Sequence, residues 1–217
     1  MKHLICTISG LVILALATLS WAGQTAKDPA PSRTYFSITP ALICPFSVKT
    51  TSPILSPAKT RTQWGKGISG AMGYRINHLR MEGELLYAQS NADDIRFATG
   101  GGDLSGYYKM WGGSINAYYD IPTTHKLCPY IGAGLGVTRF SAQEIALGTF
   151  PPTTGATTVL TYRIMAGVTY PLTRTLTIQA GYRLTGMGHQ DYITGGTPLT
   201  GASLKIHAIL VGVQYHF

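Results

Sequence analysis

The chain ends in the stretch 208–217, Ala-Ile-Leu-Val-Gly-Val-Gln-Tyr-His-Phe, in which two kinds of side chain alternate. One face of an extended strand would carry Ile209, Val211, Val213, Tyr215 and Phe217. The other face would carry Ala208, Gly212, Gln214 and His216. Because successive residues of a β-strand point to opposite faces, this pattern predicts a strand between an apolar medium and a hydrophilic interior.

The same period-two pattern recurs along the chain in segments of about ten residues, with no competing helical periodicity. The eight predicted strands cover residues 35–46, 67–77, 80–90, 108–121, 129–140, 158–170, 175–186 and 203–217. A soluble β-sandwich or soluble barrel would bury its apolar face in a packed core. The opposite faces here carry Gly, Thr, Ser, Gln and Arg, which suit the interior of a narrow barrel.

These features predict an all-β protein, an eight-stranded antiparallel transmembrane β-barrel. The connections near 78, 122–128 and 171–174 are short, and those near 48–66, 91–107, 141–157 and 187–202 are long. Bacterial barrels have short periplasmic turns and long outer loops, so we expect four long extracellular loops and both chain ends in the periplasm. Pro40 falls within the first strand, where we expect a β-bulge.

The first residues predict export. Lys2 precedes an apolar run over 4–19, and Ser20-Trp21-Ala22 is a small-x-small cleavage site. The alternative, a membrane-anchoring helix, would need roughly 20 apolar residues. We therefore predict a cleaved signal peptide over 1–22, a short periplasmic segment over 23–34 and the barrel over 35–217.

The cysteines that remain after cleavage are Cys44 and Cys128. An even number of cysteines in an exported protein normally indicates a disulfide. The predicted topology places these two at opposite ends of the barrel, too far apart for a bridge. Free thiols are therefore expected.

Two stretches resemble a known family. The alternating terminal strand ending in Tyr215 and Phe217 resembles the closing strand of outer-membrane barrels. The stretch 129–137, preceded by 116–120, resembles strands four and five of opacity-type surface antigens and of the OmpA transmembrane domain. The resemblance implies an integral protein of a Gram-negative outer membrane, whose terminal Tyr215 and Phe217 act as a signal for the barrel assembly machinery.

The resemblance also implies a structural or interaction role, since the family includes adhesins and structural proteins. Catalysis is not expected, and neither is a cofactor. Lipid A-modifying enzymes on small barrels need a His beside a Ser and an acid at the rim, and the residues around His207 do not supply them. A small pore or a lipid A-modifying enzyme on the same scaffold is the alternative. The loop acids Asp93, Asp94 and Asp103 lack the spacing of a calcium loop, so no metal site is predicted.

Six charged residues fall on the interior parity of their strands and are predicted to form a lumen charge network. They are Arg75, Glu82, Glu84, Asp120, Arg163 and Arg183. A tight turn near His78 is expected to set Arg75 opposite Glu82 as an ion pair. The network would be either a solvated plug or the gate of an ion-selective passage. The plug is favoured, because an eight-stranded barrel is just wide enough for its own side chains.

The net charge of +8 indicates anionic partners. The first long loop carries Lys49, Lys59, Arg61 and Lys66 with no acid among them. Lipopolysaccharide, sulfated host polysaccharide or a host receptor are the expected partners, and nucleic acid is not, because the loop faces outside the cell. Arg139 and Lys205 have the lipid-facing parity near the outer ends of their strands, which predicts a lipopolysaccharide rim.

Aromatic residues collect near both predicted interfaces, as in the girdles of membrane barrels. The predicted outer girdle is Trp64, Tyr87, Tyr107, Tyr108, Trp111 and Phe140, and the inner one is Phe36, Tyr119, Tyr170, Tyr215 and Phe217.

Overall fold

The structure is a computed structural model that describes residues 33–51, 58–97, 100–147, 153–187, 190–194, 197–201 and 204–217. The predicted signal peptide over 1–22 and nearly all of the predicted segment over 23–34 lie outside these residues. The described part of the chain contains no helix of a length and apolarity that would cross a membrane.

The described residues form β-strands joined by turns. In chain order they are β1 (Thr34–Ile43), β2 (Ser47–Thr51), β3 (Ala58–Thr62), β4 (Gly65–Ile76), β5 (Leu79–Phe97), β6 (Gly100–Asp120), β7 (Cys128–Leu147), β8 (Thr153–Pro171), β9 (Leu176–Met187), β10 (Gln190–Thr194), β11 (Thr197–Gly201) and β12 (Leu204–His216). Strands β1, β4, β5, β6, β7, β8, β9 and β12 pair in that order, all antiparallel, and the pairing of β12 with β1 closes an eight-stranded barrel. The predicted fold is confirmed.

The barrel has two faces because apolar and polar residues alternate along its strands. Large apolar side chains stand on the outside, where Leu85 is 74% exposed, Leu160 68% and Ile115 67%. The intervening positions are buried, as the burial pattern of β12 shows from end to end. An apolar outer wall of this kind requires a lipid environment. In lipid the backbone N–H and C=O groups need partners within the protein, and the hydrogen bonds between neighbouring strands of the closed barrel supply them.

One end of the barrel, here called the turn end, carries the short connections 77–78, 121–127 and 172–175. The tightest is the two-residue turn at 77–78, which joins β4 to β5. Asn77 has a φ of 54°, in the left-handed region that Asn tolerates better than most residues. This turn fixes the register in which Arg75 lies beside Arg80.

At the opposite end, here called the extended end, the strands continue beyond the predicted boundaries. β5 and β6 remain paired up to Phe97 and Gly100, and β7 and β8 up to Ile145 and Thr153. The segments predicted as long loops are therefore largely hairpin extensions. Each of these strand pairs contains a register shift in this region. In β6 the shift is at Gly106, whose φ is 115°.

Two short hairpins add to this extension. β2 pairs with β3, β3 with β5, and β2 also with β11, which in turn pairs with β10. Strands β2, β3, β10 and β11 thus form a sheet that continues the barrel wall on the side of β5.

The bulge predicted at Pro40 is wrong. β1 keeps one register with β4 through Pro40, which lies opposite Ile68. With β12, the register is the same before and after residues 39 and 40, but no pairs form at these two positions. The missing N–H of proline is accommodated by a short interruption of one ladder, with no inserted residue.

The two cysteines lie at opposite ends of the barrel. Cys44 follows β1 at the extended end, where its backbone N–H donates to the carbonyl of His207 at 2.9 Å. Cys128 is the first residue of β7 at the turn end. They form no disulfide with each other, as predicted.

Candidate functional site

The half of the interior near the turn end contains a buried ion network, here called the Arg80 cluster (Tyr35, Arg75, Arg80, Glu82 and Asp120). Nε of Arg80 lies 2.9 Å from Asp120 and Nη1 lies 3.3 Å from Glu82. Asp120 also forms an ion pair with Nη2 of Arg75 at 3.2 Å, and the hydroxyl of Tyr35 donates to Glu82. Two guanidinium groups therefore face two carboxylates.

Aromatic rings enclose the Arg80 guanidinium. Its central carbon lies 4.7 Å from the ring centroid of Tyr118 and 5.2 Å from that of Tyr130. Gly132 leaves room for the Tyr118 ring, since a Cβ at this position would lie 2.5 Å from it. The ion pairs and the ring contacts together fill the cross-section of the barrel.

A second group, the Glu84 cluster, lies farther from the turn end. Oε2 of Glu84 accepts from Arg163 at 3.0 Å, and Oε1 forms an ion pair with Arg183 at 2.8 Å. Nδ2 of Asn116 donates to the same carboxylate at 2.7 Å, and Arg163 also donates to the hydroxyl of Ser114. Here two guanidinium groups share one carboxylate, so the cluster carries an excess positive charge.

All six residues of the predicted lumen network lie in these two clusters, but one predicted pair is wrong. Arg75 pairs with Asp120 and not with Glu82. The turn at 77–78 sets Arg75 beside Arg80 and leaves Gly73 opposite Glu82. Arg80, which is fully buried and the centre of its cluster, was not among the predicted residues. Arg80 lies on the same face of β5 as Glu82 and Glu84, and this alternation could have identified it as an interior residue.

The half of the interior near the extended end is apolar, which the sequence did not lead us to expect. Its buried cluster consists of Ile43, Phe46, Ala88, Ala92, Tyr108, Met110, Phe140, Val159, Met187, Leu204, Ile206, Ala208 and Leu210. The rings of Tyr108 and Phe140 stack at 5.4 Å inside the barrel. Their assignment to the outer aromatic girdle is therefore wrong, because both lie on the interior face of their strands.

Cations gather on the outer wall near the extended end, in a group here called the rim belt (Lys66, Lys109, Arg139 and Lys205). Lys66, Arg139 and Lys205 are exposed, and Lys109 is half-buried with its ammonium 4.9 Å from the ring centroid of Tyr107. Arg139 lies beside Trp111, which lies beside Tyr87 on the next strand. All three are outward and exposed, so a cation and two aromatic rings share one row of the wall.

The first predicted loop is not a single cationic arm. Lys49 lies on β2, Lys59 and Arg61 lie on β3, and Lys66 belongs to the barrel wall. The backbone register sets Lys49 opposite Lys59, and Lys59 opposite Arg96 of β5. Three basic residues therefore occupy one cross-strand row of the outer sheet.

The remaining candidates are separate from these groups. The imidazole Nδ1 of His207 and the hydroxyl of Tyr182 are hydrogen-bonded on the outer wall. Tyr215 and Phe217 are exposed at the turn end, with ring centroids 5.4 Å apart. Within the described ranges, no three His, Cys, Asp or Glu side chains form a group that would hold a metal ion.

A closed antiparallel barrel with an apolar outer wall, a filled interior and short turns at one end is an integral outer-membrane β-barrel. The sequence agrees, because residues 11–217 match the family described as outer membrane protein beta-barrel domain. The chain belongs to this family, and its place in the bacterial outer membrane is thereby confirmed, as is the resemblance to opacity-type and OmpA-like small barrels.

Solved structures show the same fold. The match to Neisserial surface protein A covers 87% of this chain and 100% of that protein's chain, with 24% sequence identity and a TM-score of 0.52. The match to the outer membrane protein OprG from Pseudomonas aeruginosa covers 87% of this chain and 97% of that protein's chain, with 14% sequence identity and a TM-score of 0.61.

Curated relatives include an uncharacterized protein of Brucella abortus, which is 28% identical over 134 residues. The match covers 50% of this chain and 47% of the relative, so the chain spans about half the length of the curated relatives it matches.

Proposed function

We propose that this protein is a surface protein of the outer membrane with a structural or interaction role, whose extended end binds anionic partners. The partners are phosphate groups of lipopolysaccharide at the rim belt and acidic groups of a host surface, such as sulfated polysaccharide, at the outer hairpins. The rim belt is the observation that carries the proposal.

The charge of the outer wall supports anion binding. Among the side chains that the structure describes on the outside of the barrel, one is acidic. This is Asp93, which accepts a hydrogen bond from Nε2 of Gln63 at 3.2 Å. The four cations of the rim belt therefore have almost no acidic side chain to neutralise them within the described part of the wall. A surface of one sign attracts ligands of the opposite sign, most strongly at low ionic strength.

The depth of these cations supports a lipid partner. A lipid-facing Arg or Lys at the membrane midplane costs about 2–4 kcal/mol, and near the interface about 0–1 kcal/mol. Aromatic side chains such as Trp111 and Tyr87 prefer the same interface. Arg139 shares their row, which supports a contact between its guanidinium and lipid headgroup phosphates.

The outer hairpins supply a second basic surface. The row formed by Lys49, Lys59 and Arg96 places three basic residues on adjacent strands, and neighbouring strands are about 4.8 Å apart. A polysaccharide with regularly spaced sulfate groups matches such a row in charge and in spacing.

Native mass spectrometry of the refolded barrel with added lipopolysaccharide tests the rim belt. We expect the variant Lys66→Glu/Lys109→Glu/Arg139→Glu/Lys205→Glu to lose most of the bound lipopolysaccharide. The matched control reverses Lys126 and Arg174, two exposed cations of the turn end. Equal occupancy in both variants would contradict the proposed lipid contact.

Heparin affinity tests the hairpins separately. We expect the variant Lys49→Glu/Lys59→Glu/Arg61→Glu to elute from a heparin column at lower salt than the control variant and to bind fewer host cells. Elution unchanged by this triple substitution would argue against a role for the outer sheet.

The proposed assembly signal is the pair Tyr215 and Phe217. Both rings are exposed on the outer face of the closing strand, where a partner protein has access to them. Removal of both rings is expected to slow assembly of the barrel in a reconstituted system, while spontaneous refolding into detergent remains unchanged.

A small pore is the second candidate. The observation in its favour is that a cavity of about 50 Å³ and another of about 10 Å³ in the interior share Ser69, Arg183 and Leu210 in their linings. Movement of the Arg183 side chain would join them. The fully buried side chains of Arg80 and Arg163 close the interior toward the turn end, which favours the interaction role.

A further inference from the structure

The apolar half of the interior encloses a cavity of about 50 Å³. Its walls include Ile43, Ala88, Met110, Met187 and Ile206. A site that holds one water molecule needs roughly 10–15 Å³ on this kind of measure. The cavity therefore has room for a ligand of about three to five non-hydrogen atoms, and its walls favour an alkyl group over water.

The floor of this cavity is polar, because Ser69 and Arg183 also line it. Nη1 of Arg183 forms an ion pair with Oε1 of Glu84 at 2.8 Å. Nε of Arg183 is buried and finds no hydrogen-bond acceptor among the described residues. A buried N–H group without an acceptor is costly, so an acceptor from a ligand or from water is expected here.

The charge of the Glu84 cluster distinguishes between these acceptors. Arg163 and Arg183 share the single carboxylate of Glu84, whereas the Arg80 cluster has as many carboxylates as guanidinium groups. A buried excess charge is stabilised best by an opposite charge. Water supplies an acceptor but no charge, and a carboxylate supplies both.

We propose that this cavity binds a short unbranched monocarboxylate of about three carbons. The carboxylate accepts from Nε of Arg183, and the alkyl chain packs between Ala88, Met110 and Met187. This site lies inside the barrel and is independent of the rim belt and of the outer hairpins.

The surroundings make the cavity a binding site and not a passage. The rings of Phe46, Tyr108 and Phe140 lie on its side toward the extended end, with Phe46 and Tyr108 centroids 6.4 Å apart. Toward the turn end, the buried guanidinium groups of Arg163 and Arg80 fill the interior.

Titration calorimetry of the barrel in lipid nanodiscs tests the proposal. Propionate is expected to bind saturably, and propan-1-ol, which has a similar alkyl chain but no charge, at least tenfold more weakly. Octanoate is too long and is expected not to compete. Absence of saturable propionate binding, with water as the acceptor at Arg183, would overturn the proposal.

Three variants locate the site. Arg183→Gln removes the charge, and Ala88→Leu fills the cavity, so each is expected to weaken propionate binding tenfold or more. The matched control is Ala133→Leu, which adds the same side chain to the exposed outer wall. Met110→Ala enlarges the cavity and is expected to shift the preference from propionate toward pentanoate, which keeps the test decisive if Ala88→Leu fails to fold. Propionate binding that is unaffected by both cavity variants would place the ligand elsewhere and overturn the proposal.

Discussion

Nε of Arg80 donates to Oδ1 of Asp120 at 2.9 Å, and this contact joins β5 to β6 inside the barrel. Both side chains are almost completely excluded from solvent. The same guanidinium holds Glu82 and packs against two tyrosine rings, so Arg80 connects most of the polar groups in its half of the interior.

Substitution of Arg80 is expected to destabilise the barrel strongly. Arg80→Ala leaves Glu82 and Asp120 buried with fewer partners, at a cost of about 3–5 kcal/mol. Urea unfolding in lipid vesicles, followed by gel mobility with and without heating, measures the change. The control Arg174→Ala removes an exposed cation at the turn end and is expected to have little effect. A loss below about 1 kcal/mol for Arg80→Ala would contradict this role.

A side chain at Gly212 is expected to break a contact that spans three strands. Nε2 of Gln179 donates to Oγ1 of Thr39 at 2.7 Å across β12. A Cβ on Gly212 would lie 2.5 Å from that Oγ1 and 3.0 Å from that Nε2. Gly212→Ala is therefore expected to cost about 1–3 kcal/mol in the same unfolding assay.

Gly83→Ala is the matched control for Gly212→Ala, because a Cβ at Gly83 meets no atom within 4 Å. It is expected to leave stability unchanged or to raise it slightly. Equal losses in the two variants would show that the close approach at Gly212 has no energetic consequence.

The lipid-facing wall predicts a depth-dependent response to charge. Leu135 is 63% exposed on the outer face, and Leu135→Arg is expected to cost about 2–4 kcal/mol. Thr158 is also outward, in the row of Arg139 near the extended end, where Thr158→Arg is expected to cost about 0–1 kcal/mol. Unfolding in vesicles compares the two. The same cost at both positions would indicate that the wall does not face lipid.

The separation of the cysteines predicts two thiols in the mature protein. Alkylation of the unfolded, unreduced chain should add two labels, one at Cys44 and one at Cys128, as measured by intact mass. A mass that changes only after reduction would reveal a disulfide, which the barrel cannot form between its opposite ends.

The filled interior predicts the absence of a stable pore. Planar bilayer recordings of the protein should show no large and lasting conductance steps, because the ion pairs of Arg80 and Arg163 would have to rearrange. Frequent steps that are abolished by crosslinking β9 to β5 would instead support the gated passage.

The period-two pattern of the sequence identified the fold. Alternation in each segment determined which residues face lipid, and the short connections determined which strands are neighbours. The interior position of the six predicted charged residues also followed from parity alone. The ion-pair partner of Arg75 could not be predicted in this way. A turn that is shifted by one residue changes the register, and therefore which side chains face each other across the two strands.

The missed features depend on position along the barrel axis. Parity distinguishes inside from outside, yet it does not separate the polar half of the interior from the apolar half. Tyr108 and Phe140 were therefore assigned to a girdle, although they close the interior. The outer hairpins were missed because β2, β3, β10 and β11 are too short to show a period of their own.

The sequence by itself determined the number of barrel strands, their two faces and the membrane environment, because these depend on local alternation of side chains. Only the tertiary structure decided which charges pair, where the interior becomes apolar and where the rim cations gather. Those properties arise from register and barrel closure, which bring together residues far apart in the chain, such as Glu84 and Arg163.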